Sequence, residues 1–295
     1  MLREADVTAT TAHLRAGAEA ASADLPGLIL SAERLAAMVA PGAHGLRRAG
    51  MGEDFWQYRP AGIGDSARAI DWRRSARSDA QFVRDREAQS AQTARLWVSS
   101  GQGMSYSGSE LRPTKLARAR VLALALAMVL LRGGEKVGLL GHPARLGRAQ
   151  SGPLAEQLLR RPMATGDGDA PKADELRPNQ RLVILSDFLT DIDWVAPFLA
   201  RAAALGVSGV LLQVLDPDEE TFPFDGAVTF RSPSGGLRHD SHDAAGLREA
   251  YLMRLAERRD RLRRAAETAG WYFTCHSTDQ APAHALGWLY QTLGR

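Results

Sequence analysis

A single cysteine, Cys275, is all the thiol chemistry this chain carries. No intramolecular disulfide can form, and a reducing compartment is the simplest fit. Lysine is almost as scarce. Lys115, Lys136 and Lys172 are the only three, so nearly all the basicity is arginine, mixed with acids along most of the chain. A nucleic-acid binder would segregate its basic residues onto one face or tail, and a net charge of +3 does not suggest one. The start, MLREADVTATTAHLRAG, lacks the apolar core of a secretion signal. The longest apolar run, VLALALAMVLL at 121–131, falls well short of the roughly 20 residues a membrane-spanning helix needs. It reads as a buried helix, and the chain is expected to be soluble and cytoplasmic. There is also no Gly-x-Ser-x-Gly elbow, Walker A loop, His-Glu-x-x-His pair or Rossmann glycine fingerprint. No catalytic residue and no cofactor is assigned.

What is present is an ordinary globular composition, 45% hydrophobic and 24% charged over 295 residues. That is enough to hold a core by burial alone. Residues 7–22 suggest a first helix, and SAERLAAMVA (31–40) a second with Ser31 as its N-cap. From residue 94 onward, continuous apolar strands alternate with helices. The strands fall at 94–99, 136–140, 181–186, 208–214 and 271–275, and TKLARARVLALALAMVLL (114–131) is the most buried helix. WVAPFLARAAALG and the helix over 244–270 close on Gly206 and Gly270, which suit C-caps. GAVTF and GLRHD flank a turn and read as a hairpin. TGDGDAPKADELRPNQ (165–180) is expected to be a mobile surface loop. This alternation predicts an α/β fold, a mostly parallel sheet with helices on both faces. Ligands of such sheets bind at the carboxyl ends of the strands. The expected division is 1–90, N-terminal helices and an Arg/Asp-rich segment, and 91–295, the α/β domain.

The Arg/Asp-rich segment carries the most specific pattern. MGEDFWQYRPAGIGDSARAIDWRRSARSDAQFVRDREAQ (51–89) places Phe55, Arg59, Gly64, Asp65, Arg68, Ile70, Asp71, Trp72, Ala76 and Arg77 in a fixed order. This resembles the signature of the bacterial domain-of-unknown-function 58 family. SDF (186–188), DPDEETFPFDG (216–226) and AGWYFTCHSTD (269–279) resemble that family too. The resemblance implies a von Willebrand factor A-like (Rossmann-type) fold for 91–295 and a partnership with a MoxR-type AAA+ ATPase. Many members carry two N-terminal transmembrane helices. Nothing of that kind is read here, so membrane anchoring is not carried over.

A von Willebrand factor A-like domain often binds Mg²⁺ through a metal-ion-dependent adhesion site, with Asp-x-Ser-x-Ser at the end of its first strand. Here the corresponding positions are Ser99, Gly101 and Gly103, and only Asp187 stands at the place of a later carboxylate. Mg²⁺ needs hard oxygen ligands including carboxylate, so no metal is expected. Asp187 reads as a loop cap at the end of a strand.

Three readings compete for GDSARAIDWRRSAR (64–77), which holds two aspartates and four arginines. Mutual Arg–carboxylate pairing would make it an internally neutralised scaffold with Asp71 and Trp72 buried. It could instead dock a partner, or bind nucleic acid. The scaffold is the leading reading. HDSHDAAGL (239–247) gathers His239, Asp240, His242 and Asp243 before a helix, where capping is the simplest role. Cys275 and His276 are strand neighbours that point to opposite faces, so Cys275 reads as a buried thiol. The functional expectation is a non-catalytic protein-interaction module. The alternatives are a metal-dependent hydrolase with a site near Asp187 and the His239/His242 cluster, and a nucleic-acid binder using the arginines.

Overall fold

The computed structural model describes residues 23–39, 46–50, 54–62, 65, 66, 68, 70–77, 80–164, 169–232, 236 and 238–294. They fall into two compact units: the described residues of Ala43–Gln92, and those of Met1–Gly42 together with Thr93–Arg295.

The larger unit is built on five strands: β4 (Thr93–Val98), β5 (Lys136–Leu139), β6 (Arg181–Ser186), β7 (Ser208–Leu215) and β10 (Tyr272–Ser277). Their order is β10-β7-β6-β4-β5, and every pairing is parallel. The strands expected from the sequence are these five. Their continuous apolar character follows from burial on both faces. On β6, Val183 and Leu185 face one core with Leu96 of β4 and Val210 of β7. Leu182 and Ile184 face a second core with Trp97 and Leu211. The first core is covered by α1 (23–37), α3 (Lys115–Arg132), α4 (Ser151–Arg160) and α8 (Pro282–Leu293). The second is covered by α5 (Val195–Ala204) and α7 (Arg248–Thr268).

From Leu122 to Leu131 helix α3 is apolar all round because it is enclosed all round, every residue there being buried. Thr114 caps it, its hydroxyl accepting from the Ala117 amide at 3.1 Å. Gly206 (φ 66°) and Gly270 (φ 70°) close α5 and α7 in left-handed geometry, as expected. β8 (Val228–Arg231) and β9 (Arg238–Ser241) form the expected antiparallel hairpin.

Two expectations are corrected here. Ser31 is not an N-cap but lies inside α1, because the apolar spacing Leu28, Ala32, Leu35, Ala36 continues the helix upstream. For the same reason α1 belongs to the large unit, not with the signature segment: those side chains enter its first core, and Arg132 donates to the Ala36 carbonyl at 3.2 Å. Residues 7–22 lie outside the described residues.

The smaller unit is a three-stranded antiparallel sheet of order β1-β3-β2, from β1 (Leu46–Gly50), β2 (Asp54–Pro60) and β3 (Phe82–Ser90). It carries a one-turn helix, α2 (Trp72–Ser75).

Candidate functional site

The carboxyl end of the parallel sheet is where an α/β unit places its ligands. Here it is filled by ion pairs made within the chain. Lys115, in the first turn of α3, reaches Asp187 just past β6, with Nζ to Oδ2 at 2.8 Å, and Glu219 with Nζ to Oε1 at 2.5 Å. The Lys115 side chain is 1% exposed, and its ammonium stands 5.8 Å from the centre of the Tyr106 ring. A positive charge at a helix N-terminus meets the positive end of the helix dipole. A buried ammonium there needs carboxylates, and two are supplied. Asp187 spends its other oxygen on the Leu189 amide at 3.2 Å, the loop-capping role expected of it. The pairing with Lys115 was not expected.

Glu219 comes from α6 (Pro217–Thr221), inside the DPDEETFPFDG motif. The motif folds as a capping box. Asp216 accepts from the Asp218 amide at 3.0 Å, and Glu219 Oε2 accepts from the Asp216 amide at 3.0 Å. Asp216 is fully buried beyond the end of β7. Arg112 binds it in bidentate fashion, at 3.2 and 3.0 Å, and reaches Asp218 at 3.0 Å. Thr278, beyond β10, donates its hydroxyl to Asp216 at 3.3 Å. Three strand ends and the start of α3 are thus tied into one network.

The electrostatics follow the burial. Desolvation pushes Glu219 above the usual carboxylate range, against the pull of Lys115. Asp216 is also pushed up by burial, but the amides of Asp218 and Gly108 and the Arg112 guanidinium outweigh this and hold it below its usual value. Burial, with Asp218, Asp216 and Glu219 nearby, raises the Tyr106 hydroxyl to about 12.

The SDF motif adds backbone strain. Phe188 adopts φ 50°, a left-handed conformation rare for a bulky residue. Ser186 accepts from its amide at 3.2 Å, Arg258 donates to its carbonyl at 3.0 Å, and its ring is buried near Trp194. That combination fixes the loop that presents Asp187.

The other sequence-singled positions sort plainly. Ser99 is buried past β4, and its hydroxyl accepts from the Gly101 amide at 3.2 Å. Gly101 and Gly103 precede the buried Met104. Ser100 binds Asp169 through its amide at 2.6 Å and its hydroxyl at 3.1 Å, and Arg161 pairs with Asp169 at 3.2 Å. The described part of 165–180 is therefore packed down by Asp169 and by buried Leu176 rather than loose. Asp240 accepts from Thr229 and Arg238 within the hairpin, and Asp243 accepts from the Gly246 amide at 3.2 Å, while the helical turns that follow start at Ala244 and Leu247 without a side-chain cap. Among the described residues, no three His, Cys, Asp or Glu side chains are grouped to hold a metal. Cys275 is half-buried, not fully buried, and binds Gln213 at 3.3 Å.

In the smaller unit, Asp71 caps α2. It accepts from the Arg74 amide at 3.1 Å and from the Tyr58 hydroxyl at 3.0 Å, and is half-buried. Asp65 accepts from the Gly62 amide at 2.7 Å. Ile70 bridges to Val83 of β3. Arg68 and Ala76 are exposed. The expectation of a buried Trp72 is overturned: it is 58% exposed. A single helical turn has one inward face. Ser75 takes it, donating to the Asp71 carbonyl at 2.8 Å and accepting from the Phe82 amide at 2.9 Å. Nor, among the described residues, do the arginines of α2 pair with aspartates. Arg74 stacks over the Tyr58 and Phe82 rings instead. Gly64 and the side chains of Phe55 and Arg59 lie outside the described residues.

Sequence comparison covers both units. The family described as Protein of unknown function DUF58 matches residues 57–261. The chain belongs to this family. The DUF58 match runs from β2 of the smaller unit through α2, takes in the whole Lys115–Asp187–Glu219 arrangement, and ends within α7. The uncharacterized proteins Rv1480 of Mycobacterium tuberculosis and Mb1516 of Mycobacterium bovis are each 30% identical over 229 residues, 72% of this chain and 70% of theirs. Two solved structures are also similar. An aerotolerance-related membrane protein from Bacteroides fragilis gives a TM-score of 0.40 at 16% identity, over 69% of this chain and 98% of its own. The conserved hypothetical protein BatB from Bacteroides thetaiotaomicron gives 0.39 at 13%, over the same shares. Among the described residues, no helix of this DUF58 chain is long and apolar enough to cross a membrane.

Proposed function

We propose that this chain is a non-catalytic, cytoplasmic protein-interaction module, with a von Willebrand factor A-like larger unit, whose partner is a MoxR-type AAA+ ATPase in chaperone-like or complex-assembly work. The observation that carries the reading is Lys115. A divalent ion at the strand ends would need the oxygens of Asp187 and Glu219, and both are turned onto the buried ammonium at 2.8 and 2.5 Å. An ion there would meet a cation at contact distance in a desolvated site. Ser99, Gly101 and Gly103 bring no carboxylate in exchange. The residues present do not fit Mg²⁺, so partner binding at this end of the sheet is metal-independent. The hydrolase reading loses its nucleus for the same reason, since Asp187 is committed to Lys115 and Leu189. The partner's identity rests on the family resemblance alone.

The test is direct. The purified chain and the MoxR-type ATPase of the same organism are mixed with and without EDTA and passed over a sizing column. A complex unaffected by EDTA is the expected result. Absence of a complex in either nucleotide state of the ATPase removes the partner from the reading, and a complex with the nucleotide-free ATPase that EDTA abolishes removes its metal independence.

A further inference from the structure

We infer that the exposed face of α2 is a docking site for an acidic segment of a protein partner, one that brings an apolar side chain to cover Trp72. The inference rests on the interaction-module reading and supplies the surface that reading lacks.

The face is built rather than incidental. Asp71 caps the turn, and the Ser75 hydroxyl links the Asp71 carbonyl to the Phe82 amide, so α2 is fastened to β3 by its inner side. That leaves Trp72, Arg73, Arg74 and Arg77 on the outside, all exposed. Below them lies a cleft of about 690 Å³ lined by Tyr58, Asp71, Arg73, Arg74, Arg77 and Phe82. Among the described residues, no carboxylate pairs with the side chains of Arg73, Arg74 or Arg77. Asp71 does not neutralise them by contact, because its oxygens are engaged by the Arg74 amide and the Tyr58 hydroxyl. Arg74 is held in place from below, its guanidinium 4.5 Å from the centre of the Tyr58 ring and 5.3 Å from that of Phe82.

An indole left 58% in water beside three guanidiniums that no carboxylate of the described residues pairs is a poor solution for a free surface. It is a good one for an interface. Trp and Arg are the residues that carry most binding energy at protein contacts, because they bring area and planar hydrogen bonding at low entropic cost. Guanidinium forks match carboxylates in bidentate geometry.

The chemistry favours an acidic polypeptide over nucleic acid. A single-strand binder offers a track of open aromatic faces for successive bases. Here Arg74 already covers faces of Tyr58 and Phe82, and among the described residues Trp72 is the one exposed ring of the patch. Three arginines within about one and a half turns span a few carboxylates, not a strand.

The probe is a fluorescein-labelled peptide of Glu and Asp with one central Phe, titrated against the full chain by fluorescence anisotropy. Expected is a Kd of about 10–100 μM at low salt, weakening as salt screens the charges. Trp72→Ala and the pair Arg73→Ala/Arg77→Ala should each weaken it about tenfold or more. Arg201→Ala, an exposed arginine on α5, should not change it. Because the substituted side chains are exposed, melting temperatures should stay unchanged, so loss of binding is not loss of fold. No binding up to millimolar peptide overturns the proposal, as does binding indifferent to the variants. An oligothymidine that binds more tightly than the peptide, through the same side chains, overturns it in favour of nucleic acid. The ATPase mixing experiment keeps the two readings apart. A complex that forms equally with the variants leaves the interaction reading standing and removes this surface from it. Peptide binding without any ATPase complex does the reverse.

Discussion

At the scale of single residues, Lys115 decides the character of the strand-end site. Burying an ammonium and two carboxylates is costly, and their mutual attraction offsets that cost only while all three are present. Lys115→Met leaves Asp187 and Glu219 facing each other with no counter-charge. It should lower unfolding free energy by about 3–5 kcal/mol in denaturant titrations. Adding Asp187→Asn should recover part of the loss, because one of the stranded charges is then gone. An unchanged midpoint in Lys115→Met would mean the pair contributes nothing. The same residue sets the metal prediction. Calorimetric titration of Mg²⁺ or Mn²⁺ into the wild type should show no binding tighter than millimolar. A micromolar isotherm lost in Asp187→Ala would show that an ion displaces the ammonium. Asp71 is a smaller case than the sequence suggested. It is half-buried and caps α2, so Asp71→Ala should cost about 1–2 kcal/mol, the range for losing a helix cap.

At the scale of elements, the sheet tolerates no side chain at one position. Gly209 of β7 lies beside Leu182 of β6, and a Cβ built there would stand 1.8 Å from the Leu182 carbonyl oxygen. That oxygen is backbone and cannot swing away. Gly209→Ala should cost about 3 kcal/mol or more, at the upper end for overpacking. Gly287 in α8 is the internal control, with nothing within 4 Å of its Cβ position. Gly287→Ala should stabilise by about 0.5–1 kcal/mol through helix propensity. Thermal melts of the two variants should move in opposite directions. The elements themselves were legible in the sequence wherever burial alone shapes the pattern. QRLVILSD and VSGVLLQVLD are apolar on both faces because two helical layers cover them, and the run at 121–131 is apolar all round because α3 is enclosed. The site was less legible. Asp187 could be placed at a strand end, but its partner lies far away in sequence on α3. Only a lysine in the first turn of a helix that is apolar from Val121 to Leu131 hinted at it. Trp72 misled because an aromatic beside Ile70 looks like core, whereas a one-turn helix has room for a single inward residue.

At the scale of the whole larger unit, two buried ionisable groups pull stability in opposite directions with pH. His276 on β10 is 3% exposed, and its Nε2 has no hydrogen-bond partner among the described residues. Burial, aided by the charge of Arg118, lowers its pKa from 6.5 to about 4. A depressed pKa in the folded state gives stability that is present above the unfolded value and is lost as pH falls from 6.5 through about 4. Glu135, at the entry to β5, is 4% exposed. Burial raises its pKa from 4.5 to about 7, against the opposing pull of Arg181. Here the sign reverses. Its contribution is present below 4.5 and is lost as pH rises through about 7. Each shift corresponds to about 3 kcal/mol. Between pH 4.5 and 6.5 the two slopes have opposite sign and similar size, so they cancel in the wild type. Single substitutions should uncover them. Glu135→Gln removes the loss on the alkaline side, so its stability should rise with pH across this window relative to the wild type. His276→Gln removes the loss on the acid side, so its stability should fall across the same window. Glu219, also raised by burial, acts in the same direction as Glu135 but is common to all three proteins and drops out of the differences. Urea titrations of the three at intervals from pH 4 to 8 supply the measurement. Parallel curves for the wild type and both variants would mean that neither group is desolvated as its burial implies.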